Sequence, residues 1–157
     1  MHFYSPTKGR LTIAQMVEDI AEFVHAGKKG DTYKLIIGTD SQPGGDNTCF
    51  VTAVIIHRVG KGARFYYHRE YKNIKFSLQN RIFTEASLSL EVATRIISSL
   101  INLKLQLSVE IHLDVGESGP TRELVQQVVG MVTASGFAAR VKPASYGASK
   151  VADRFTK

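Results

Sequence analysis

The sequence predicts an α/β domain in which a mixed five-stranded sheet is flanked by helices, with an extra helix at the N-terminus. Two observations carry that expectation. Segments follow one another in the order helix, three strands, helix, strand, helix, strand, helix, a pattern that layers helices on a sheet. The hydrophobic period also switches from two to about 3.6 in mid-chain and back again, with no repeat or low-complexity linker between segments.

Taken in order, Thr12-Ile13-Ala14-Gln15 has the pattern of a capping box, and Ile13, Met16, Val17, Ile20 and Val24 then recur at helical spacing until Gly27. A polar turn precedes residues 33–39, an apolar run with β-branched residues that reads as a central strand with Asp40 at its end. Turn residues at 43–47 and 60–62 set off two further β-rich runs, residues 49–57 and 64–71, so the first three strands form an antiparallel meander. From residue 78 to about 103 the period is helical, with Ile82, Ala86, Ala93, Ile96, Ile97 and Leu100 on one stripe. Leu107, Val109, Ile111 and Leu113 alternate with polar residues as in a strand with one apolar face, and Asp114 ends it. A loop at residues 116–121, a helix through Val132 to Gly136, a short strand at 137–141 and a short helix from about Ser149 complete the chain. Right-handed crossovers put the fourth strand beside the first and parallel to it, giving the spatial order 3-2-1-4-5.

A chain of 157 residues suits one domain, since domains cluster near ~100–150 residues. We take residues 1–157 as that domain, with 1–30 as a helical extension packed on it. The composition, 43% hydrophobic and 22% charged, excludes a disordered or fibrous class. A lone Cys49 excludes an intramolecular disulfide and a cysteine-rich zinc site. The first residues lack the basic and apolar regions of a secretory signal, and no apolar run approaches the ~20 residues of a membrane span, so a cytoplasmic protein is expected. A net charge of +6 suits a polyanionic partner, because Lys and Arg contacts to phosphate supply sequence-independent affinity for nucleic acid.

The acidic residues give the chemistry. Asp40 and Asp114 should emerge side by side at the carboxyl edge of the sheet, where open α/β sheets bind ligands, and two like charges there call for a counter-ion. The plainer alternative is that each Asp only opens a turn. On the long helix, Glu85 falls about 80° from a stripe centred on Ala93 and Glu91 about 160° from it. Glu91 is therefore read as solvated, and Glu85, near the helix start, as the third ligand. Oxygen ligands of this kind select hard cations, Mg²⁺ or Mn²⁺, over zinc.

Gly38-Thr39-Asp40-Ser41, Thr84-Glu85-Ala86, Leu113-Asp114 and the closing Ala148-Ser149-Lys150-Val151-Ala152-Asp153-Arg154, in that order on those elements, resemble the ribonuclease H-like superfamily and within it the bacterial YkuK-like branch. The resemblance spans the chain from Tyr33 onward. It implies a ribonuclease H-like fold, a fourth carboxylate at Asp153, and a metal-dependent nuclease that cuts phosphodiester bonds with two divalent ions, Asp40 bridging them. Its substrate would be RNA, an RNA/DNA hybrid or structured DNA.

Base and ring interleave from Arg64 to Phe76, and Arg64, Arg69, Lys72 and Lys75, with Lys150 beside Asp153, are the candidate nucleic-acid contacts. An edge strand protected by charge would read the same way. The alternative function is a non-catalytic module on the same fold that binds nucleic acid or protein without metal. His57 and His112 sit in strands and have no Cys or His partner at metal-ligand spacing.

Overall fold

Two four-residue strands, β1 (His2–Ser5) and β2 (Gly9–Thr12), open the chain as a hairpin, and helix α1 (Ile13–His25) follows directly. Three long strands come next, β3 (Tyr33–Gly44), β4 (Asn47–Arg58) and β5 (Gly62–Lys72), then the 25-residue helix α2 (Leu78–Asn102). Strand β6 (Ser108–Gly116), a 3₁₀ turn at Arg122–Leu124, helix α3 (Val125–Ala134) and strand β7 (Ala138–Lys142) complete the computed structural model. It describes residues 1–116, 119 and 121–142. The expected terminal helix from Ser149, with Lys150 and Asp153, and residues 117, 118 and 120 of the expected 116–121 loop lie outside the described residues.

The sheet corrects the expectation of five strands. Among the described residues it has seven, in the order β2-β1-β5-β4-β3-β6-β7. The five expected strands occupy the β5-to-β7 portion, and the N-terminal segment adds the other two beyond β5, through the pairing of Tyr4 with Tyr67. Residues 1–30 thus extend the sheet as well as supplying a helix. The expected strand ends shift too. Continuous pairing of β3 with β4 runs past Asp40 to Gly44 and Asn47, where Gly45 takes φ +61° in a two-residue hairpin loop.

Alternation along the strands sorts two faces. Leu35, Ile37, Val54, Ile56, Tyr66, Ile111 and Leu113 join residues of all three helices in one core. Ile36, Cys49, Val51, Ala53 and Ile55 form a smaller cluster on the opposite face, with Phe65 and Tyr67 against it. Helix α1 is docked by a polar cluster as well as by its apolar face. The buried Asp19 carboxylate accepts hydrogen bonds from Tyr66 at 2.5 Å and from Arg64 at 3.1 Å. Its capping box at Thr12 and Gln15 is formed in both directions. No helix among the described residues is long and apolar enough to cross a membrane.

Candidate functional site

Parallel pairing between β3 and β6 runs from Lys34 and Ser108 to Gly38 and His112, and stops there. Asp40 and Asp114 each lie two residues beyond that last pair, at the mouth of the crevice where the two strands part. Asp40 is paired with Val51 of β4, itself paired with Arg69 of β5, which places the three on the face carrying Ile36 and Ala53. The Cys49 thiol on that face, raised by burial, senses the charges of both Arg69 and Asp40.

Glu85 arrives from the helix-covered side. It lies on the buried face of α2, only 9% exposed, whereas Glu91 is on the outer face and pairs with Arg95 one turn on. Ser41, the residue after Asp40, points toward α2 and donates to Glu85 Oε2 at 2.5 Å. Arg81, one turn before Glu85, donates to both the carbonyl and the hydroxyl of Ser41 at 3.3 Å. Burial first, and then the charges of Asp40 and Asp114, push the Glu85 carboxyl up to about 8 against the opposing Ser41 hydrogen bond. The charges of carboxylates on β3 and β6 therefore both reach Glu85 on α2.

Asp114 has a cationic partner. Lys142, the last residue of β7, places Nζ 2.6 Å from Asp114 Oδ1. That hydrogen bond, followed by the charges of Asp114, Asp40 and Glu85, holds the ammonium above its ordinary value. Two residues earlier, Arg140 donates to Glu110 Oε1 at 3.1 Å. Burial alone would raise Glu110, but hydrogen bonds from His112 and Arg140 outweigh it and keep the carboxyl below its ordinary range. Burial also holds the His112 ring below its ordinary value. Its Nε2 then serves Glu110 at 3.5 Å, a long contact, and its buried Nδ1 has no hydrogen-bond partner among the described residues.

The oxygen donors of Asp40, Glu85 and Asp114 fit a hard divalent cation by their chemistry. Their arrangement is a different matter: among the described residues, no three His, Cys, Asp or Glu side chains converge to hold a metal ion. Glu85 is turned to Ser41 and Asp114 to Lys142.

The candidate nucleic-acid residues separate by face. Arg64 points to the helix side, bound to Asp19 and stacked over the Phe23 ring at 5.1 Å. Arg69 lies on the other face, 5.9 Å from the Tyr67 ring, with the exposed Tyr71 beyond it. Lys72 ends β5 and approaches Glu70 at 3.9 Å, and Lys75 is exposed in the link to α2. Ser41, Arg81 and Lys142 were not among the residues anticipated from sequence. Ser41 sits inside the Asp40 motif and Arg81 at helical spacing from Glu85, so both had a local signal. Lys142 becomes visible only once β7 is placed beside β6.

A mixed sheet with helices packed on it and acidic residues at the β3–β6 crevice defines a class, and comparison with known proteins agrees. The family model described as Ribonuclease H-like matches residues 15–157, and the chain belongs to that family. It is also 36% identical over 168 residues to the uncharacterized protein YkuK of Bacillus subtilis (strain 168), covering 99% of this chain and 96% of that protein. No solved structure gives a significant match.

Proposed function

We propose that this chain is a divalent-metal-dependent nuclease, with Asp40, Glu85 and Asp114 as carboxylates that hold Mg²⁺ or Mn²⁺ and Asp153 as the fourth. The observation that carries this reading is the coupling of three carboxylates across β3, α2 and β6. Buried beside two other acids, Glu85 keeps its proton up to about 8, and a dication is the counter-charge that would let all three ionise together. The chemistry such ions supply is activation of water and stabilisation of the leaving oxygen during in-line attack on a phosphodiester.

The chain's own residues supply the rest. Ser41 and Arg81 orient Glu85. Arg69, Lys72 and Lys75, with the Tyr67 and Tyr71 rings, lie along β5 and its continuation toward α2, and their charges and ring faces suit a nucleic-acid backbone and its bases. Lys150 would add to them. The substrate classes proposed are RNA, an RNA/DNA hybrid and structured DNA.

A second reading, a module that binds nucleic acid or protein without metal, is favoured by the lack of convergence among the described acids. Incubating the protein and Asp40→Asn with labelled RNA, hybrid and branched DNA in Mg²⁺, Mn²⁺ or EDTA separates the two. The nuclease reading expects cleavage that requires metal and is lost in the variant. Retention of nucleic acid in EDTA without cleavage of any substrate gives the binding module the lead.

A further inference from the structure

Lys142 is held in place by more than its own contact with Asp114. Its strand is locked to β6 on the same face by Arg140, which donates to the buried Glu110 at 3.1 Å. The β6–β7 register then shifts between His112 and Gly116, so that Lys142 pairs with Gly116 and its side chain reaches back to Asp114. The ammonium is therefore set beside Asp114 by construction of the strand.

We propose that Lys142 is a displaceable counter-cation of the acidic site: it neutralises Asp114 while no divalent ion is bound and must release it when one enters. The proposal rests on the metal-binding reading above, and it bears on one of the two contacts that keep the acids apart, the pairing of Asp114 with Lys142, the other being the turn of Glu85 to Ser41. One of the three donors is already taken by a cation of the chain itself.

Magnitudes favour displacement over permanence. The Lys142 and Asp114 side chains are 59% and 31% exposed, and ion pairs with that much access to water are weak. A doubly charged ion attracts a carboxylate about twice as strongly as an ammonium at equal distance, and it gains Asp40 and Glu85 as well. The lysine should therefore yield, at a cost to metal affinity on the order of 5-fold.

The test is calorimetric titration of the full chain with Mn²⁺, alongside Mn²⁺-dependent shifts in melting temperature. Wild type is compared with Lys142→Gln, with Lys142→Arg, which retains a cation, and with Lys29→Gln, which removes the same charge from an exposed turn. We expect Lys142→Gln to bind Mn²⁺ on the order of 5-fold more tightly and to gain more melting temperature from it. Lys142→Arg and Lys29→Gln should stay within about twofold of wild type. Equal Mn²⁺ affinity in wild type and Lys142→Gln overturns the counter-cation while leaving the metal site standing. Equal tightening in Lys29→Gln overturns it as well, since bulk charge would then suffice. Failure of every variant and of wild type to bind Mn²⁺ removes the metal reading and this inference together.

Discussion

Glu85 keeps its proton because three costs of ionisation fall on it together: burial, Asp40 and Asp114. Before any metal is bound, this sets a direction for stability against pH. An unfolded chain ionises the residue near its ordinary 4.5, while the folded chain holds the proton up to about 8. Unfolding therefore releases a proton across that window, and stability falls as pH rises through it. The contribution is full below pH 4.5 and gone above about 8. Its size is on the order of a few kcal/mol, reduced by whatever rearrangement lets the charge reach water. Glu85→Gln keeps the shape and a partner for Ser41 but has nothing to ionise. Urea denaturation in EDTA at pH 5, 6.5 and 8 should show wild type losing stability relative to the variant as pH rises. Parallel profiles for the two proteins would mean that Glu85 ionises normally and that the acids are not coupled. The sequence made Glu85 visible through its helical angle. It did not reveal Ser41 as its partner, or Arg81 as the partner of Ser41, because hydrogen bonds between β3 and α2 depend on how deeply the helix sits on the sheet.

At the scale of elements, that depth is fixed by a buried hydroxyl chain. Thr39 Oγ1 lies 2.9 Å from Thr52 Oγ1 and 2.8 Å from Ser89 Oγ, tying β4, β3 and the middle of α2 together one residue before Asp40. Removing the Ser89 hydroxyl leaves Thr39 with Thr52 as a partner, so Ser89→Ala should cost only about 1 kcal/mol in thermal or chemical unfolding. A loss of several kcal/mol would mean that the three hydroxyls form an inseparable unit. The capping box offers a parallel case: Thr12→Ala, which removes the acceptor for the Gln15 backbone amide, should also cost ~1 kcal/mol. That box was legible in the sequence because both of its hydrogen bonds are local. The adjacency of β3 and β6 was legible for a related reason, since the crossover rule fixes which strands lie side by side. Strand length was less legible. Pro43 and Gly44 read as turn, yet β3 extends through them, because an antiparallel partner already in register continues the ladder to the two-residue loop.

For the molecule as a whole, the least legible feature was the N-terminal hairpin. Four residues are too few to display a period of two, and the contact that makes β1 part of the sheet joins it to β5, more than sixty residues away. Once formed, the pairing explains the segment. Phe3 is fully buried in the main core, with its ring 5.7 Å from that of His68, while Tyr4 points outward beside Tyr67 and is 42% exposed. The hairpin therefore covers the middle of the edge that β5 would otherwise present as unpaired backbone, and Thr12 passes directly from β2 into the N-cap of α1. The two neighbouring aromatics should respond very differently to truncation. Phe3→Ala empties a core position and should cost ~3–5 kcal/mol, the usual range for a buried Phe. Tyr4→Ala loses one tilted ring contact at the surface and should cost under about 1 kcal/mol. Denaturant unfolding of both variants distinguishes a structural hairpin from a loosely attached arm. If Phe3→Ala were as mild as Tyr4→Ala, β1 and β2 would be dispensable and the domain would rest on the strands from β5 to β7. A large cost for Phe3→Ala, with an increased tendency to aggregate as the β5 edge opens, would make the seven-stranded sheet the folding unit that holds the acidic crevice at its far side.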